Sequence, residues 1–251
     1  MQKIIIANWK CKPETAKEVK DLFNEISEGL KNITKAKIVI CPPFYYLSEI
    51  NNKYNLSLGG QNCFVEKKDV DNQNISWRTA KDQGCEFAIV GHSSRRIFLG
   101  QTDESINQEL KEIFSFGLIP IFCIGETKEQ KQASQTESIL ESQIKKGLAG
   151  LSIDEISKII IAYEPIWAIS DGNPYNTKEM PTTEGIKKVS DFIKSLVLKN
   201  YSGLDNVTVI YGGSANSANA KAFLEEAGMD GLLIGGASLK AEEFIKIVNA
   251  V

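Results

Sequence analysis

The stretch KIIIAYEPIWA, residues 158–168, decides the fold. Its first half is an unbroken run of apolar, mostly β-branched residues. A strand with one wet face alternates apolar and polar side chains. A continuous run instead predicts a strand buried on both faces, as in a parallel sheet covered by helices. The second half changes character at once: Glu164 stands at the strand's end, next to the rigid Pro165. A buried strand that delivers a chargeable group at its C-terminal end is an element to search for elsewhere in the chain.

Seven more such runs occur, at residues 3–8 (KIIIAN), 37–41 (KIVIC), 56–60, 87–90, 119–124, 207–211 (VTVIY) and 231–234. Amphipathic stretches lie between them. Residues 14–30 carry Val19, Leu22, Phe23, Ile26 and Leu30 at helical spacing, and residues 102–114 carry Ile106, Leu110 and Ile113. Residues 136–148, 183–198, 217–224 and 241–248 behave alike, while 44–53 and 75–83 give weaker helical signals. Thr183, with Glu184 in the first turn, and Ser217 are the expected caps of two of these helices. Strand then helix, eight times, predicts an α/β fold of the (β/α)8-barrel type, with residues 1–251 as a single domain. A doubly wound open sheet would favour a GxGxxG turn after the first strand; here that turn is Asn8-Trp9-Lys10.

Composition excludes several classes. Hydrophobic residues at 42% and charged residues at 24% give an ordinary globular balance. No window reaches the roughly 18 apolar residues of a membrane helix, and Ile4 to Ala7 is too short for a signal-peptide core. A cytoplasmic protein with no membrane partner is expected. Five cysteines, an odd number without a CxxC, argue for buried thiols over disulfides or zinc, so no metal is expected. The net charge of −3 does not suit a nucleic-acid partner, and KEQKQ (128–132) reads as a solvated helix face.

Active sites of such barrels lie at the C-terminal ends of the strands. There the chain places Asn8 and Lys10, Gln61-Asn62, Gly91-His92-Ser93, Cys123-Ile124-Gly125-Glu126, Glu164-Pro165, Gly212-Gly213-Ser214 and Gly235-Gly236. The glycine-rich turns after strands 7 and 8 leave N–H groups to face an anion, with helix ends adding a favourable dipole. Glu164 is expected to be desolvated, its pKa raised toward that of a useful base. Lys10 and His92, the chain's single histidine, are suited to stabilising an oxyanion. A base, an oxyanion stabiliser, a cation and a phosphate cradle together fit proton transfer next to the carbonyl of a small phosphorylated sugar.

On these segments, with Ala162 to Ala168, Tyr211 to Ser214 and Gly235 to Leu239, the chain resembles the triosephosphate isomerase family over nearly its whole length. The resemblance implies that Glu164 shuttles the proton, His92 polarises the carbonyl, Lys10 supplies positive charge and Asn8 holds substrate. It implies phosphate contacts at Ser170, Ser214, Gly235 and Gly236. It also implies a lid hinge at Pro165-Ile166-Trp167 and a Glu126–Trp167 pair that holds the lid open. The family is typically homodimeric, uses no cofactor, and works in glycolysis and gluconeogenesis. Departures are expected to matter. Family acids become Ser94, Asn74 and Gln101, leaving Arg95 without its usual partners and Lys10 without its tether. Lys12-Pro13 and the DVDNQN loop (69–74) put the dimer geometry in question, and the lid segment up to Thr182 is longer. An isomerase of a four-carbon sugar phosphate, or a non-catalytic sugar-phosphate-binding barrel, are the alternatives these departures raise.

Overall fold

The computed structural model describes residues 2–50, 56–61, 76–169 and 180–251. Eight strands form a closed, wholly parallel barrel in chain order: β1 (Lys3–Asn8), β2 (Ala36–Cys41), β3 (Ser57–Gln61), β4 (Cys85–Val90), β5 (Ile119–Ile124), β6 (Ile160–Tyr163), β7 (Thr208–Tyr211) and β8 (Gly231–Ile234). β8 pairs back onto β1, with Ile6 opposite Leu233, so no edge is left open. Each of the eight expected strands is present, with ends shifted by at most two residues.

Helices clothe the outside: α1 (Ala16–Leu30), α2 (Trp77–Asp82), α3 (Ser93–Phe98), α4 (Asp103–Ser115), α5 (Lys128–Gln132), α6 (Thr136–Gly147), α7 (Ile153–Ile156), α8 (Thr183–Asn200), α9 (Ala220–Glu225) and α10 (Ala241–Asn249). The weak 44–53 signal is a 3₁₀ turn over Phe44–Glu49. α3 and α7 are short and carry no periodic apolar stripe, so periodicity did not reveal them. Two caps fall elsewhere than expected. Thr182, not Thr183, caps α8, accepting from the Gly185 N–H at 3.0 Å. Ser217 caps nothing, because its N–H and hydroxyl both donate to Glu243, and α9 starts three residues later.

The apolar residues divide into two layers. Ile4, Ile6, Ile121, Cys123, Ile160 and Ala162 fill the barrel's interior. Their strand neighbours Ile5, Ala7, Phe122, Ile124, Ile161 and Tyr163 pack against the helices. Burying each such large side chain stabilises the fold by about 1.5–3 kcal/mol before entropy is counted. The alternation has a consequence at the rim. In β6 the even-numbered residues 160 and 162 point inward, so the next in phase, Glu164, stands over the barrel's mouth. β1 runs the same way through Ile4 and Ile6 to Asn8. The pleat, read off the sequence, therefore aims both side chains at one place.

Cys41, Cys85 and Cys123 are buried free thiols; burial pushes Cys85 up to about 12 and the other two well above the usual thiol value. Cys11, against expectation, is exposed, because it lies in the turn beyond β1. Cys63 lies outside the described residues. Among the described residues no helix is long and apolar enough to cross a membrane, and no cluster of histidine, cysteine or acidic residues could hold a metal ion.

Candidate active site

The C-terminal rim holds a cavity lined by Asn8, Lys10, His92, Glu164, Gly212 to Ala215, Leu233 and Gly235 to Ala237. Of the expected site residues, Asn8, Lys10, His92, Glu164, Ser214, Gly235 and Gly236 are thus brought together. Ser170 lies outside the described residues.

Glu164 is positioned by its backbone. Its N–H donates to the Ile124 carbonyl at 2.7 Å, continuing the β5–β6 ladder past the strand's end. A Cβ at Gly125 would sit 2.1 Å from the Glu164 carbonyl oxygen, so only glycine allows this approach. Gln143 of α6 clamps that glycine, accepting from its N–H at 2.9 Å and donating to its carbonyl at 3.0 Å. The Glu164 carboxylate then accepts from His92 Nε2 at 2.9 Å and from the Ser93 N–H at 2.9 Å.

Burial pushes the Glu164 carboxyl up. The attraction and hydrogen bond of His92, the Ser93 N–H and the charge of Lys10 outweigh it and hold the group below the usual carboxylate range. The expectation of a raised value is therefore corrected for this resting arrangement. Desolvation alone would raise it, but two direct donors stabilise the charged form more.

His92 follows Gly91, whose φ of +71° breaks the strand and turns the next side chain into the mouth. Its Nδ1 accepts from the Ser94 N–H at 3.2 Å, so the ring itself caps α3. Lys10 holds a left-handed φ of +53°, unusual for a residue with a Cβ. Two side chains fix that conformation. Asn8 Oδ1 accepts from the Lys10 N–H at 3.1 Å, and Gln61 donates to the Lys10 carbonyl at 2.7 Å. Gln61 thus holds the Lys10 backbone and leaves its ammonium free of that tether. Gly235 leaves open the space beside the Lys10 ammonium; a Cβ there would stand 3.6 Å from Nζ.

At the anion side, the Ser214 hydroxyl is buried without a partner among the described residues, while its N–H donates to the Ala168 carbonyl at 3.0 Å. The expected helix-dipole contribution is narrowed here to one short helix end. After β8 there is only a 3₁₀ turn over Gly236–Leu239, and α9 begins well past Ser214. At the hinge, Trp167 donates to Glu126 at 2.7 Å, Tyr163 donates to the same carboxylate at 3.1 Å, and Lys131 lies 3.3 Å over the indole ring. Pro165 starts the 3₁₀ turn over Ile166–Ala168.

Arg95 is not left without an acid. It is buried, and Glu109 of α4 faces it. Glu109 also accepts from Gln101 at 2.6 Å, and burial pushes it up to about 7 against the pull of Arg95. Arg96 ties the ends of β4 and β5 to α4 through the Gly91 and Cys123 carbonyls and Asp103. Asn74 lies outside the described residues. Gln61 and Ser93 were placed at the rim and Ser94 noted as a departure without these roles, while Glu109 is the site-supporting group that sequence reasoning missed. For Glu109 a signal existed: it falls between Ile106, Leu110 and Ile113, an acid on an apolar face.

A closed parallel barrel whose mouth joins a carboxylate, an imidazole, an ammonium and an open hydroxyl is the arrangement of an aldose–ketose isomerase acting on a small anion. Comparison with known proteins narrows this class. The family model described as triosephosphate isomerase matches residues 3–251. The triosephosphate isomerase of Dictyoglomus turgidum is 40% identical over 252 residues, 99% of each chain. Those of Carboxydothermus hydrogenoformans and Aquifex aeolicus are each 38% identical, again over 99% of both chains. The chain belongs to the triosephosphate isomerase family.

Proposed function

We propose that Glu164, His92 and Lys10 carry out this family's reaction here, interconverting glyceraldehyde 3-phosphate and dihydroxyacetone phosphate through an enediolate. The Glu164 carboxylate takes the proton from the carbon beside the carbonyl, and the released electron pair forms the enediolate double bond. Charge grows on the carbonyl oxygen, where His92 Nε2–H and the Lys10 ammonium meet it. Glu164 returns its proton to the neighbouring carbon, while the hydroxyl proton passes from one enediolate oxygen to the other beside His92 Nε2, so that the new carbonyl and the new hydroxyl form together. No electrons are gained or lost, so this chemistry calls for no cofactor. Asn8 holds the substrate, and Ser214, Gly235 and Gly236 hold its phosphate together with Ser170. Pro165 and Trp167, with Glu126, form the hinge of a lid that excludes water.

The observation that carries this reading is the 2.9 Å contact between His92 Nε2 and Glu164 Oε1 beside Lys10 and the Ser214 hydroxyl, which has no partner among the described residues. A substrate carbonyl that accepts the His92 donor frees the carboxylate to act as base. The test is isomerisation of glyceraldehyde 3-phosphate by purified protein and its Glu164→Gln variant. Turnover is expected to vanish in the variant while inorganic phosphate still binds; equal activity in both would remove the assigned role.

The same reading places the chain in the cytoplasm, as one domain, in glycolysis and gluconeogenesis. It also favours a homodimer with an altered interface. Tyr45 after β2 and Ile97, Phe98 and Leu99 after β4 are exposed large apolar side chains, between 53 and 81% accessible, flanking the mouth of β3. Such a cluster suits a protein contact. Light scattering at micromolar concentration should give twice the chain mass, and Phe98→Asp with Leu99→Asp should halve it. A monomeric parent protein would remove this part of the reading.

A further inference from the structure

We propose that Ser94 is a positioning residue for the reaction: its hydroxyl is a second donor to His92 Nδ1 and fixes the ring as the tautomer with its proton on Nε2. The proposal rests on the reading above that His92 polarises the substrate carbonyl.

Both ends of the ring lead to this assignment. Nδ1 lies 3.2 Å from the Ser94 N–H and 2.8 Å from the Ser94 hydroxyl oxygen. A peptide N–H can only donate. A proton on Nδ1 would set two donors against each other, so Nδ1 presents its lone pair. The hydroxyl, which can rotate, then has one favourable orientation toward that nitrogen, with its proton pointing in. Turned away, it would place oxygen and nitrogen lone pairs 2.8 Å apart. At the far end, Nε2 lies 2.9 Å from a Glu164 oxygen. An ionised carboxylate can only accept, so Nε2 carries the proton.

The hydroxyl is the shorter of the two contacts to Nδ1. His92 itself is 6% exposed, while Ser94 is half-buried. The family pattern implies an acid at position 94. An ionised acid has no proton to give Nδ1, whereas serine does. Loss of that acid therefore does more than remove a charge: it adds a donor to the ring that meets the substrate. Ser94 touches no reacting atom and acts through His92.

The chain's single histidine makes the test unambiguous. In tag-free protein labelled with ¹⁵N-histidine, both ring-nitrogen resonances come from His92 alone. The native protein should show Nδ1 as an unprotonated, hydrogen-bonded nitrogen and Nε2 as a protonated one. In Ser94→Ala the Nδ1 signal should move toward that of a free unprotonated nitrogen. kcat should fall roughly threefold to tenfold, the worth of one neutral hydrogen bond, with KM nearly constant. Ser94→Thr should restore both. Unmoved ring signals in Ser94→Ala overturn the proposal, as does a moved Nδ1 signal with unchanged kcat. The resonance is read without substrate, so failure of the base assignment, seen as an active Glu164→Gln variant, is distinguishable from failure here.

Discussion

The two sides of the barrel's mouth are built on different principles. On the β5–β6 side, backbone packing fixes Glu164: its N–H continues the ladder onto Ile124, and its carbonyl lies against Gly125, where no Cβ fits. On the β3–β4 side, side chains do the fixing. Gln61 holds the Lys10 carbonyl, Ser94 meets His92, and Glu109 reaches in from α4 to face Arg95. Backbone packing tolerates little change. A side-chain network can move a charge from one element to another and still do its work. Ser94 and Gln101, two of the departures from the family pattern, lie on the second side, while others lie in the turn after β1 and in the lid segment after β6.

Breaking the first side should have the largest effect. Glu164→Gln removes the base at constant shape, and kcat should drop roughly 100- to 10,000-fold. Stopped or coupled assays of isomerisation measure it, and a drop of less than tenfold would assign the proton transfer elsewhere.

On the second side, Glu109 gives a pH signature. Its folded value, about 7, lies above the ordinary carboxylate value of 4.5, so between those limits the folded protein binds more protons than the unfolded chain. Its contribution to stability is therefore fully present below pH 4.5 and is lost as pH rises through 7. That change amounts to at most about 3 kcal/mol. Denaturant unfolding of the native protein and Glu109→Gln at pH 5 and pH 8 should show the variant gaining relative stability at the higher pH. Parallel profiles would mean that Glu109 titrates normally.

Gly125→Ala sharpens the comparison from the other direction. The added methyl forces the Glu164 carbonyl aside, and kcat/KM should fall at least about tenfold, because small misplacements of a catalytic group are costly. Near-normal activity would show that the β5–β6 side is more pliable than its packing implies. The smallest effect should come from Gln61→Ala, which removes one hydrogen bond to the Lys10 carbonyl. A loss of about 1 kcal/mol, or roughly fivefold in kcat/KM, is expected, and none at all would leave Lys10 held by Asn8 alone.

The barrel was legible because strands buried on both faces leave unbroken apolar runs, and the rim because strand ends mark where such sites lie. Asn8, Lys10, His92 and Glu164 could be picked out by their place at strand ends and by residue type. Gln61, Ser94 and Glu109 could not be assigned the same way. Their partners lie far along the chain or depend on a rotamer, and Arg95 looked stripped of acids because Glu109 meets it from a helix and not from its own loop. The lowered value of Glu164 was hidden for a similar reason: burial is readable from a strand's pattern, whereas two donors converging from the β4–α3 turn are not.

The most direct test of the central claim, proton transfer through Glu164, is isomerisation in D₂O with the product's carbon-bound hydrogen read by NMR. Glyceraldehyde 3-phosphate turned over by the native protein should yield dihydroxyacetone phosphate that carries solvent deuterium on carbon, and Glu164→Gln should yield none above the uncatalysed background. Product formed at the native rate by Glu164→Gln, or undiminished deuterium incorporation by that variant, would contradict the account.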